Sequence, residues 1–153
     1  MKKLLYLINI TFAMLLAACG GSSEKDLDSY DYTQISAEWK LTEWADMPAE
    51  IDVYIDFETN QTFTMYQQVE SVRFVKYTGT YSVKDDIISG KYSDGKPWGS
   101  SYILSFKGKY MTFVSKTEVA EVNVYTKTTI PTEVKDQAET NIDSKTNDVK
   151  RLL

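Results

Sequence analysis

The run Ile51-Asp52-Val53-Tyr54-Ile55-Asp56-Phe57-Glu58 places an apolar side chain at every odd position and a polar or amphipathic one at every even position. Successive side chains alternate across a strand, so this order gives a β-strand one apolar face, whereas a helix would scatter the same residues around its axis. Thr59-Asn60 then turns the chain into a second run, Thr62 to Gln68, with Phe63 and Met65 on the inward side. Two alternating runs joined by a short polar turn predict an antiparallel hairpin.

Short strands continue on both sides of this hairpin. Ser36 to Trp44 alternates Ala37, Trp39 and Leu41 with Glu38, Lys40 and Thr42, and a polar loop through Asp46, Pro48 and Glu50 follows. Val72 to Val83 carries Val75, Tyr77, Gly79, Tyr81 and Val83 on one face. Lys84-Asp85-Asp86 is a turn, and Ile87 to Ser93 puts Ile88, Gly90 and Tyr92 in phase. A glycine on the inward face of a strand marks a bend or a close approach of backbone, as at a barrel corner. Tyr102–Lys107 and Lys109–Ser115 form a hairpin about Gly108. The last strand, Glu118 to Lys127, fits two registers, one burying Ala120, Val122 and Val124, the other Val119 and Tyr125.

Eight strands in residues 36–130, with tight turns and no helical period between them, predict an all-β fold, an up-and-down barrel or a sandwich, of which the eight-stranded antiparallel up-and-down barrel is the reading taken. Such a barrel is just wide enough for side chains or one small ligand. After Pro131, Thr132 is placed to cap a short helix to about Thr140, with Val134 and Ala138 at i, i+4. Residues beyond Asn141 are polar and of mixed charge, which predicts a disordered tail, so residues 131–153 are expected to add only a helix and that tail.

The start of the chain supplies an address. Lys2 and Lys3 precede a mostly apolar run, Leu4 to Leu16, which is too short for a spanning helix. Ala17-Ala18-Cys19 follows. This resembles the bacterial lipobox, in which residues 1–18 are removed and the cysteine carries fatty acyl chains such as palmitate on its sulfur and amino group. By that resemblance Cys19 is the lipidation site, and Gly20-Gly21, without an aspartate after the cysteine, implies a lipoprotein of the cell envelope held at the outer membrane. Each buried acyl CH₂ contributes about 0.8 kcal/mol, so several chains anchor stably. Residues 19–35 are rich in Gly, Ser and acids and read as a flexible tether that reaches about 55 Å when extended. Within it Glu24, Asp26 and Asp28 form either a solvated stretch or a surface-sorting signal, and Tyr30 and Tyr32 are candidates to dock on the domain.

Composition narrows function by exclusion. Without residues 1–18 the chain has 15 Lys+Arg against 22 Asp+Glu, a net charge of −7, which argues against nucleic acid or anionic lipid as partner. There is no histidine, the commonest general base and metal ligand, and Cys19 is the only cysteine, so no disulfide forms within the chain. Asp52/Asp56 fall on an outer strand face and Asp85/Asp86 in a turn, where carboxylates are solvated rather than catalytic. No calcium loop, phosphate loop or nucleophile–base pair is present. The expectation is no enzyme, no catalytic residue, no metal and no cofactor.

Trp39, the hairpin Val53–Met65, Thr78-Gly79-Thr80-Tyr81, Ser93-Asp94-Gly95-Lys96-Pro97-Trp98-Gly99 and Tyr125-Thr126-Lys127 together resemble small bacterial lipocalin-like lipoproteins over residues 36–135. In lipocalins a first-strand Gly-x-Trp plugs the closed end, and a basic residue of the last strand packs over the Trp. Here Ala37-Glu38-Trp39 lacks the glycine, and Lys127 stands at the basic position. The resemblance implies the fold, a lipocalin-like barrel; the first functional reading of that barrel is a binding protein for a small amphipathic or apolar ligand. The alternative is a filled barrel that serves as a protein-interaction module at the outer membrane. The candidate ligand-binding residues are Trp98, Tyr92, Tyr102, Tyr81 and Trp39. Trp98 has two readings, a gate that stacks on a ligand or a lid folded back on the barrel, and the inward aromatics either line a pocket or form ordinary core.

Overall fold

The computed structural model describes residues 30–69, 71–140 and 150–153; the signal segment, Cys19 and the acidic cluster Glu24, Asp26 and Asp28 lie outside them. Eight strands form the wall: β1 (Glu38–Trp44), β3 (Asp52–Phe57), β4 (Thr62–Gln68), β5 (Val75–Lys84), β6 (Ile87–Tyr92), β7 (Tyr102–Lys107), β8 (Tyr110–Ser115) and β9 (Val122–Thr128). Between β1 and β3 the expected loop includes a two-residue strand, β2 (Met47–Pro48), that folds back on β1. Antiparallel pairing runs β5-β4-β3-β1-β9-β8-β7-β6, and β6 returns to β5, so the sheet closes into a ring. Within the last strand the register that buries Tyr125 is the one adopted. Asn123 and Tyr125 point in, and Val119 is 80% exposed.

The turns 57–62, 84–87 and 107–110 share one end of the barrel with the start of β1 and the end of β9. Loops 44–52, 68–75, 92–102 and 115–122 lie at the upper end. Residues 30–35, expected to belong to the tether, instead close the lower end. Ile35 is fully buried, the Trp39 indole N–H donates to its carbonyl at 2.9 Å, and the Tyr32 hydroxyl accepts the Val83 N–H at 3.2 Å. Burial of these rings outweighs the entropy that a free tether would keep. Lys127 is the ladder partner of Trp39, but its side chain is exposed, and the Phe106 ring lies beside Trp39 at 6.0 Å.

Helix α1 (Thr132–Gln137) lies on the outer face of the wall, where Val134 and Ile130 cover Tyr54 and Tyr66. That is why two outward positions of the hairpin carry aromatic rings. Pro131, not Thr132, occupies the helix N-cap, and the helix stops at Gln137 because Ala138 is already extended. Glu139–Thr140 then adds strand β10, parallel to the upper half of β5. A two-residue strand has no period to read. The tail also departs from expectation. Residues 141–149 lie outside the described set, but Lys150–Leu153 is docked, with Leu153 only 3% exposed.

Backbone packs closely where β5 and β6 pair. A Cβ on Gly90 would lie 2.5 Å from the Trp98 indole, and one on Gly79 would lie 2.1 Å from the Lys91 carbonyl. The inward glycines are therefore close-approach positions. Gly90→Ala is expected to destabilise the fold by about 1–3 kcal/mol through overpacking. Gly99→Ala, which meets no atom within 4 Å, is expected to stay within about 0.5 kcal/mol of wild type. Urea denaturation followed by tryptophan fluorescence measures both, and equal midpoints would remove the close-packing account.

Candidate functional site at the upper end

β6 and β7 pair only at Ile87↔Ile103 and Ile88↔Tyr102, then separate. The chain between them repairs the wall. Ser93-Asp94-Gly95-Lys96 is a tight turn in which the Tyr92 N–H donates to the Lys96 carbonyl at 2.8 Å and the Asp94 carboxylate accepts the Lys96 N–H at 3.0 Å. Pro97 bridges to Lys91, and the Trp98 N–H donates to the Gly90 carbonyl at 2.9 Å. This pulls the Trp98 indole inward over Gly90. At 5% exposure Trp98 is not an open gate; it folds into the barrel, with its ring edge-on to Phe63 at 5.3 Å.

All five aromatic candidates are buried. Trp98, Tyr92 and Tyr102 form one group, since Phe63 touches both Trp98 and Tyr92 and Trp98 meets Tyr102 at 6.3 Å. Tyr81 and Trp39 lie apart at the lower end. Tyr81 packs edge-on against Phe57 at 4.8 Å and donates its hydroxyl to the Glu58 carbonyl. Phe57, Phe113, Tyr102 and Tyr125 fill the middle in continuous ring contact.

Two buried polar atoms in this interior, the Trp98 indole N–H and the Tyr125 hydroxyl, have no hydrogen-bond partner among the described residues, whereas the Tyr77 hydroxyl has the Arg151 guanidinium beside it. Burial pushes the Tyr125 hydroxyl far above its ordinary pKa and moves Tyr102 up to about 12. Both stay protonated, as donors, at any physiological pH.

The rim is built from residues that strand periodicity did not single out. Gln67, fully buried, is in phase with Phe63 and Met65 on β4, and an amide at that core position was the available signal. Its Nε2 donates to the Lys150 carbonyl at 2.7 Å, and its Oε1 accepts the Leu152 N–H at 3.1 Å. Tyr92 donates its hydroxyl to the Leu153 carbonyl at 2.7 Å. The Arg151 guanidinium lies 4.5 Å over Tyr92 and 5.1 Å over Tyr77 and grips both Asp94 oxygens, at 2.6 and 3.2 Å. Nothing local announces Arg151, because its partner is 57 positions away. The turn-forming Asp94 of the sequence is therefore also the anchor for this cation.

Hydrogen bonds from Arg151, then from the Lys96 N–H, hold the Asp94 carboxyl at about 2, below its ordinary 3.8. A depressed carboxylate contributes stability above its unfolded pKa and loses it as pH falls through the folded one. The 150–153 segment is thus expected to stay docked at neutral pH and to loosen between pH 3.8 and about 2. Asp94→Asn should loosen it at every pH. Methyl NMR of Leu152 and Leu153 reads this directly, and an unchanged D94N spectrum at pH 7 would discount the ion pair.

Of the carboxylates read as surface, Asp56 is instead half-buried, and burial, then the neighbouring Glu38 and Glu58, raise its pKa; the other three stay at the surface. Asp52 pairs with Lys40 at 3.0 Å, and Asp85 and Asp86 occupy a left-handed turn. Residues 35–113, just over half of the chain, match the family model described as a lipocalin-like domain. No match was found among curated proteins.

Proposed function

The chain belongs to the lipocalin-like domain family, and on that premise we propose that it is a non-catalytic binding protein, anchored to the outer membrane through acylated Cys19, that holds a small amphipathic or apolar ligand at the upper end of its barrel. One observation carries this reading: two polar atoms on inward rings, the Trp98 indole N–H and the Tyr125 hydroxyl, have no partner among the described residues. Burying a polar group without a partner costs about 1–3 kcal/mol, and a core meant only to be filled would use Phe and Leu there. An amphipathic guest with a polar group supplies the missing partners, while the surrounding Phe63, Tyr92 and Tyr102 contact its apolar part. The alternative, a filled barrel serving as an outer-membrane interaction module, draws support from the continuous ring packing in the middle of the barrel.

Native mass spectrometry of the full chain recovered from its own envelope separates the two. A co-purifying small molecule is expected, with its occupancy lowered at least about tenfold by Tyr125→Phe if one hydrogen bond of about 1.4 kcal/mol is lost. A clean apo mass would discard the carrier reading and favour the interaction module. The anchor has its own test. Cys19→Ser is expected to move the protein from the membrane to the soluble fraction, and retention in the membrane would refute acylation as the anchor.

A further inference from the structure

The Lys150–Leu153 segment enters the upper end as a guest would. Its holds are a side-chain amide on its backbone, a tyrosine hydroxyl on its last carbonyl, and cations on rings and a carboxylate. Gln67 is decisive. A fully buried amide uses its donor on the Lys150 carbonyl and its acceptor on the Leu152 N–H, two residues apart. That is how an extended peptide is read in β-type recognition, here by one side chain instead of a strand edge. Outside it, Lys150 lies 5.2 Å over Trp44, and Arg151 stacks on Tyr92 and Tyr77 within the grip of Asp94. Inside it, Leu153 joins the core and Leu152 packs against it. The order read from rim to interior is two cations followed by two leucines.

We propose that the upper end of the barrel is a peptide-binding site for a basic–basic–apolar–apolar run, filled in cis by Lys150–Leu153, and that an external peptide of this pattern competes with the segment for it. The inference rests on the reading of the upper end as the ligand site and names peptide as the ligand class. Each subsite has a chemical reason. Trp44 and the Tyr77–Tyr92 pair take cations through their ring faces, Asp94 selects a guanidinium by two-pronged pairing, Gln67 requires a peptide bond, and the interior takes the leucines. The Asp94–Arg151 pair is partly open to solvent, with 42% and 17% of the side chains exposed, so its hold is screened by salt and open to competition.

The test uses the full chain and a fluorescein-labelled Lys-Arg-Leu-Leu carboxamide, read by anisotropy. Arg151→Ala weakens the cis segment and leaves every receiving residue in place. A tethered segment competes at roughly millimolar effective concentration, so the peptide is expected to bind R151A at least about tenfold more tightly than wild type. Gln67→Leu in the R151A background should abolish this binding while circular dichroism stays β-type. A Leu-Lys-Leu-Arg peptide should bind neither protein. Equal affinity for wild type and R151A, or binding of the reordered peptide as strong as the original, would overturn the proposal. Binding of 1-anilinonaphthalene-8-sulfonate to R151A without peptide binding would also overturn it while leaving the small-ligand reading standing. A folded R151A that takes neither probe would overturn both.

Discussion

Closure of the eight-stranded ring is the constraint on which the rest of this structure depends. Once β1 pairs with β9 and β6 with β5, the interior has a set width, enough for inward side chains and little more. Nearly every inward position is apolar or aromatic, and the rings run from Phe57, tilted against Phe113, to Tyr102, stacked on Phe113. Closure also produces the one weak seam. β6 and β7 share only two ladder pairs, so Pro97-Trp98 serves as wall above them, and Gly90 lacks a side chain because the indole lies against its backbone.

The two ends are closed by different physics. The lower end is mainly apolar: Ile35 is buried under Trp39, four residues on, and Tyr32 reaches Val83, 51 positions away. The upper end is distant and largely polar, built by Gln67, Tyr92 and Asp94 acting on a segment dozens of residues later in the chain. An apolar plug is expensive to remove. A plug held by amide, hydroxyl and screened ion-pair contacts is open to exchange, and that difference directs attention to the upper end as the functional one.

Most of the wall was legible because strand alternation is a local signal. The hairpin 51–68, the inward glycines 79 and 90, the 84–87 turn and the eight-strand count all follow from residues within ten positions of one another. The five aromatic candidates were legible as inward residues, but not as two separate groups, since which rings meet depends on the strand order around the ring. Gln67 carried a signal, a polar residue in a core phase. Tyr125 carried one only after its register was settled by β8. Arg151 and Leu153 carried none, because hydrophilic neighbours and mixed charge are the composition of a tail whether or not it docks.

Alternation, turn chemistry and composition by themselves determined an all-β barrel without histidine chemistry. Those properties depend on each residue's intrinsic chemistry and its nearest neighbours. Only the tertiary structure decided where Trp98 points, which tyrosines share a site, and that residues 30–35 and 150–153 belong to the fold. Each of those is a contact between segments far apart in the chain, and its free energy exists only after ring closure has brought them together.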